Sequence, residues 1–190
     1  MTRSAIYILV MCVTSGTAIA EKNLKPGDEL FTISYGDVST DFEDANTAAS
    51  GWRINLSFEG SKKRADVLHA LVIGYMETTA DVTTVAQTTN YELKTLPIYY
   101  APKYLKGQGA FKGFLKGALG WRFSDYKRTG ALGNVESGDN GFYGGASAGL
   151  MFMATDTVFI NAEYEWAYLS NSYYRDGEVQ SAMIGNGFRF

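Results

Sequence analysis

The chain has 190 residues, one cysteine, three prolines and a formal net charge of −3 from 17 basic and 20 acidic residues. The acidic balance excludes the basic footprint of a nucleic-acid partner, and a lone cysteine excludes a disulfide framework. Thirteen tyrosines, eleven phenylalanines and twenty-one glycines favour strands and tight turns over helices.

At the N terminus, Arg3 precedes an apolar run from Ala5 to Val13, and small residues then lead to Ala18-Ile19-Ala20, the pattern of a secretory leader. Residues 1–20 are expected to be a signal peptide and residues 21–190 the exported domain. Losing Arg3 with the leader takes the net charge from −3 to −4. Cys12 lies inside the apolar run behind Met11, where a lipoprotein signal needs a small residue, so lipidation is not expected. The run is about half the ~20 residues of a membrane helix. Every later apolar stretch is interrupted by a charge or a glycine, so no helical anchor is expected.

Beyond the leader the pattern has a period of two, which belongs to strands with two unlike faces. A first strand is expected over about Leu30 to Gly36. In the second, Gly51 to Gly60, Trp52, Ile54, Leu56 and Phe58 share one face, and Arg53, Asn55, Ser57 and Glu59 share the other. The third runs over Val67 to Met76 and the fourth over Tyr91 to Tyr104. In the fourth, the apolar parity changes around Pro97, which suggests a bulge, or a crossing by its second half alone. In the fifth, Phe111 to Phe123, the residues Phe111, Leu115, Leu119, Trp121 and Phe123 oppose Lys112, Lys116, Ala118, Gly120 and Arg122. The sixth covers Phe142 to Ala154. In the seventh, Val158, Ile160, Ala162, Tyr164, Trp166 and Tyr168 oppose Asn161, Glu163 and Glu165. The eighth runs from Val179 to Phe190.

Connections alternate in length. Residues 61–66, 105–110 and 155–156 are brief, and 37–50, 77–90, 125–141 and 170–178 are longer. Short periplasmic turns alternating with longer external loops characterise transmembrane barrels. The expected fold is all-β: an eight-stranded antiparallel transmembrane β-barrel, an up-and-down meander. A soluble barrel of the lipocalin kind shares the alternation but turns its apolar face inward. Three features favour the membrane version. The charged faces also carry the small residues and offer opposite charges, Lys112, Lys116 and Arg122 against Glu163 and Glu165, for pairing inside. Trp52, Trp121 and Trp166 fall near the external strand ends, as an aromatic girdle requires. The sequence also stops within a strand, at Gly187-Phe188-Arg189-Phe190.

These features resemble the small outer-membrane barrels related to the OmpA transmembrane domain, OmpX and the opacity-type, porin-like proteins. The resemblance covers the whole exported domain and rests on pattern rather than on a residue-specific motif. It implies the outer membrane of a Gram-negative cell envelope as location, with outer-membrane lipids and lipopolysaccharide as surroundings. It also implies the barrel-assembly machinery as a partner in biogenesis, with Phe190 and Phe188, backed by Ile184 and Ala182, as the assembly signal, which Asn186 interrupts. No peptidoglycan-binding domain is expected after Phe190, and a monomer is expected.

Eight strands leave an interior that side chains can fill. Arg53, Glu59, Lys112, Lys116, Arg122, Glu163, Glu165 and Arg189 are therefore expected as an interior charge network, since unpaired burial of such groups is costly. Two function classes follow: a structural or surface-interaction protein working through its external loops (envelope integrity, adhesion or resistance), or a narrow low-conductance channel for small solutes. The acidic first loop (Asp37, Asp41, Glu43, Asp44) could meet lipopolysaccharide through divalent cations, and the third loop (Tyr126, Lys127, Arg128) an external ligand. The first periplasmic turn carries Lys62, Lys63 and Arg64, a solvating and anchoring set. A lipid-modifying enzyme is the minor alternative, but no catalytic, cofactor or metal site is expected. The sole histidine, His69, falls near the periplasmic end of its strand, away from the outer leaflet. Gly145 to Gly149 mimics a G-x-S-x-G elbow within a strand, where no strand-to-helix turn follows.

Overall fold

The computed structural model describes residues 24–43, 47–83, 87–131, 133–170 and 173–190; the expected leader lies outside them. Eight strands follow in chain order: β1 (Glu29–Phe42), β2 (Thr47–Gly60), β3 (Val67–Thr83), β4 (Thr88–Gln108), β5 (Phe111–Gly130), β6 (Gly133–Met153), β7 (Val158–Leu169) and β8 (Tyr174–Arg189). Each pairs antiparallel with its chain neighbour, and β1 closes the ring against β8, so the sheet is a closed barrel. Closure leaves no sheet edge within the wall, which is what lets strands cross lipid at all. No helix among the described residues is long and apolar enough to cross a membrane.

The period of two sorts the side chains as the fold requires. Outward stand Ile33, Leu56, Phe58, Leu71, Ile73, Ile98, Leu115, Leu119, Leu150, Ile160 and Ile184, all exposed and forming an apolar belt around the wall. Toward the external end the outward positions turn polar within one or two steps: Tyr35 to Asp37, Trp52 to Ser50, Tyr75 to Glu77, Leu96 to Lys94, Phe123 to Asp125. That change marks the upper limit of the lipid-facing band.

The long external loops expected from the sequence are largely strand. β3 reaches Thr83, β4 starts at Thr88, β5 runs to Gly130 and β6 starts at Gly133. Apolar alternation ends where lipid contact ends, but backbone pairing does not, so a polar strand above the bilayer carries no hydrophobic signature. Spanning lipid takes about 9–11 tilted residues, and β4, β5 and β6 have 21, 20 and 21. The wall is therefore lopsided, with β3–β6 standing well above β1, β2, β7 and β8. Among the described residues, β6 from Gly133 to Gly141 pairs only with β5, because β7 partners begin at Tyr143.

Pro97 makes no bulge, and β4 keeps a single parity. Leu93, Thr95, Pro97, Tyr99, Ala101 and Lys103 point inward without a break. The ladder to β3 lacks two pairs at Leu96 and Pro97 and the ladder to β5 lacks two at Ala101 and Pro102, yet the register is the same on either side. A proline withholds a ladder donor without adding a residue. The register shift lies instead between β1 and β8, opposite Thr40 to Phe42. There Asp176 and Gly177 take left-handed φ values of 53° and 69°.

Candidate functional site

The interior has three layers. At the periplasmic end, Leu24, Leu30, Leu68, Leu105, Phe114, Met151, Met153 and Phe159 pack into one buried apolar cluster. Toward the external end, a second cluster contains Val38, Phe42, Met76, Tyr91, Leu93, Tyr126, Leu169, Tyr174 and Val179. Its centre is aromatic, with the Phe42 ring 5.6 Å from Tyr174, 6.0 Å from Tyr91 and 6.4 Å from Tyr126. Between the clusters lies the charged layer.

Arg53 (β2) is wholly buried and is its hub. One guanidinium nitrogen lies 2.6 Å from Glu165 of β7. The Nε donates to Asn55 at 2.9 Å, and the remaining nitrogen donates to the Tyr99 and Tyr143 phenols at 3.0 and 2.8 Å. Tyr143 in turn donates to Glu165. Lys116 (β5) pairs with Glu163 and lies 3.7 Å from Glu165. Nearer the periplasm, Glu59 (β2) meets Lys103 (β4) at 2.6 Å and accepts from Ser57 at 3.1 Å. The ion pairs join strands that are not neighbours in the ring, so they run across the lumen as cross-struts. Each of these carboxylates has a cationic partner, the condition under which burial of charge is tolerated, while Glu163 Oε1 and Glu165 Oε2 accept no hydrogen bond among the described residues.

The other expected interior charges lie off this layer. Arg122 (β5) is buried toward the external side, pairing with Asp139 at 2.6 Å and donating to Ser124 and to the Ser170 carbonyl. It thus fastens the top of β7 to the tall wall. Lys112 sits near the periplasmic mouth, donating to the Gly109 carbonyl at 3.2 Å. Arg189 is a correction: it lies at the periplasmic rim, 3.6 Å from Asp28, because β8 ends there. Lys103, Tyr99 and Tyr143 were not foreseen as interior polar groups. An unbroken parity through Pro97 would have identified Lys103 and Tyr99.

Trp52, Trp121 and Trp166 are exposed on the outward face. Tyr35, Tyr75 and Tyr164 lie against them, with centroids 6.3 and 5.2 Å from Trp52 and 4.6 Å from Trp166 respectively. Phe188 and Phe190 are also exposed, at the periplasmic end of β8 and just past it. Asp37 and Asp41 belong to β1 and Glu43 to the turn after it, while Asp44 lies outside the described residues. Tyr126, Lys127 and Arg128 are β5 rather than loop, and Tyr126 is buried in the external cluster. Gly145 to Gly149 lies wholly within β6. His69 is exposed on β3 near its periplasmic end, its Nδ1 2.5 Å from the Tyr100 hydroxyl.

Above the aromatic residues, the outer face of β4–β6 carries a charged ladder. Its rows pair Lys94 with Asp125 and link Glu92, Lys127 and Glu136. Lys94 meets Glu92 at 2.5 Å and Lys127 meets Glu136 at 3.3 Å. These five residues line a cleft of about 460 Å³.

No known family's sequence model matches the chain, and no curated protein matches it in sequence. Solved structures do. Ail, the attachment invasion locus protein of Yersinia pestis, aligns with a TM-score of 0.58 at 17% identity, covering 87% of this chain and 100% of Ail. Neisserial surface protein A aligns at 0.58 and 16%, covering 86% and 97%. OprG, an outer membrane protein of Pseudomonas aeruginosa, aligns at 0.57 and 15%, covering 90% and 99%. The chain has the fold of the small eight-stranded outer-membrane barrels.

Proposed function

We propose that the protein is an exported, non-enzymatic outer-membrane barrel that works through its external surface and transports nothing through its interior. The observation that carries this reading is the filled lumen: cross-strut ion pairs lie between two apolar clusters, so a hydrated solute meets packed side chains at three levels. The tall β3–β6 wall offers the working surface. Its charged ladder lies directly above the lipid-facing band, at the height of outer-leaflet headgroups, and lysines flanked by carboxylates suit phosphorylated saccharides bridged by divalent cations. Lipopolysaccharide is the partner this chemistry fits, and Asp37 and Asp41 on β1 form a second acidic patch elsewhere around the ring.

The test is retention of lipopolysaccharide by the refolded barrel with and without calcium. Lys94→Gln combined with Lys127→Gln should reduce retention, and neutralising Asp37, Asp41, Glu43 and Asp44 should remove its calcium dependence. Unchanged retention in both variants would overturn the assignment of this surface.

A further inference from the structure

A lipid-facing histidine is out of place in an apolar belt, and the neighbourhood of His69 supplies it with a use. His69 is outward, exposed, and the third residue of β3, toward the periplasmic end of the lipid-facing band. Its neighbours across the sheet are Gly60 on β2 and Pro102 on β4. Gly60 has no side chain, and a Cβ there would meet nothing within 4 Å, so the histidine borders a notch rather than a packed wall. The roof of the notch is apolar and aromatic, made by Phe58, Leu71 and Tyr100. Tyr100 holds the imidazole through Nδ1, with the two rings stacked at 6.0 Å and 15°. That contact fixes the ring and leaves Nε2 as its second polar edge.

The floor is cationic. The β2–β3 turn places Lys62 and Lys63, both exposed, directly beyond Gly60, and Lys106 lies outward on β4 past Tyr104. Of the carboxylates near this end of the wall, Asp66 is held by both guanidinium contacts of Arg64 at 2.9 and 2.6 Å, Glu59 points inward to Lys103, and Glu29 is outward on β1 across from Gly60, one negative charge against three lysines. The balance at this end stays positive.

We propose that this notch is a binding site for the phosphodiester headgroup of an anionic phospholipid of the inner leaflet. In this site His69 donates a hydrogen bond from Nε2, Lys62, Lys63 and Lys106 supply the positive field, and the acyl chains run up over Phe58, Leu71 and Tyr100. Charge complementarity selects the ligand, and the position in the lipid-facing wall selects a lipid over a soluble anion. The inference stands apart from the proposed external function, since it concerns the opposite end of the barrel.

Because His69 is the only histidine, its imidazole resonances identify themselves. The full refolded exported domain would be placed in vesicles of phosphatidylcholine containing increasing phosphatidylglycerol. The His69 signals should shift saturably with the anionic fraction, and phosphatidylglycerol should co-purify with the barrel. His69→Gln, or Lys62→Gln with Lys63→Gln, should lose most of the co-purifying lipid. Asp37→Asn with Asp41→Asn, at the other end, should lose none. Signals identical in the two lipids, or lipid retained in full by both variants, would overturn the site. An equal shift with inorganic phosphate in pure phosphatidylcholine would overturn its assignment to lipid. If His69→Gln fails to show the heat-modifiable gel mobility of a folded barrel, the wild-type titration still decides.

Discussion

Substituting Glu165 should destabilise the barrel more than any change on its lipid-facing surface. Glu165 is almost fully buried and accepts from Arg53 and Tyr143, with Lys116 at 3.7 Å. Glu165→Gln keeps an acceptor for Arg53 but removes the countercharge, leaving the guanidinium with the amide carbonyl, Asn55 and two phenols, all neutral. Breaking a buried pair in this way costs about 3–5 kcal/mol. The retained carbonyl puts Glu165→Gln near the lower end, and Glu165→Ala, which also opens a cavity, near the upper end. The three tryptophans report unfolding by urea in lipid vesicles, with gel mobility as a second probe. The double substitution Arg53→Met with Glu165→Leu removes both charges and should recover most of the loss, as apolar replacements of buried pairs do. A Glu165→Gln barrel within about 0.5 kcal/mol of wild type, the range of a neutral surface change, would refute the reasoning.

Phe159→Ala should cost about 3–5 kcal/mol by emptying the centre of the periplasmic cluster, read by the same urea titration. The Arg64–Asp66 clamp gives a pH effect of known sign. The hydrogen bond from Arg64 holds the Asp66 carboxyl below its ordinary value, so the contribution is complete above the ordinary carboxylate range and is lost as pH falls through the lowered value. Carbon-13 titration of Asp66 should show the depression in wild type and its disappearance in Arg64→Gln. An unaltered Asp66 titration in that variant would contradict the clamp. Arg122→Met should free the top of β7 from the tall wall, seen as faster amide exchange at Ser170 with the β1–β2 amides unchanged.

The sequence pattern is informative where one strand face meets lipid and the other meets the lumen, because only there do the two faces demand different chemistry. β2, β5 and β7 are legible on that ground, down to Arg53, Lys116, Glu163 and Glu165. The extensions of β3 to β6 are not, since above the bilayer the outward face is wet and Glu77, Lys94 or Asp125 reads equally as loop, while the inner face mixes buried Leu93 and Tyr126 with Thr95 and Ser124. The interior is only partly legible for the opposite reason. Leu30, Leu68, Met153 and Phe159 are inward and apolar, so at the barrel's periplasmic end the faces no longer differ in polarity. Lys103 was hidden by the parity change expected at Pro97, a proline that in the barrel only removes a ladder donor.

The central claim is that the lumen is filled and sealed, and planar-bilayer conductance of the refolded barrel tests it most directly. The cross-struts and the two apolar clusters predict a silent membrane from protein whose gel mobility shows it folded. Reproducible small steps that change in Lys116→Met or Glu163→Gln would contradict the account and put the working part of the molecule in its interior.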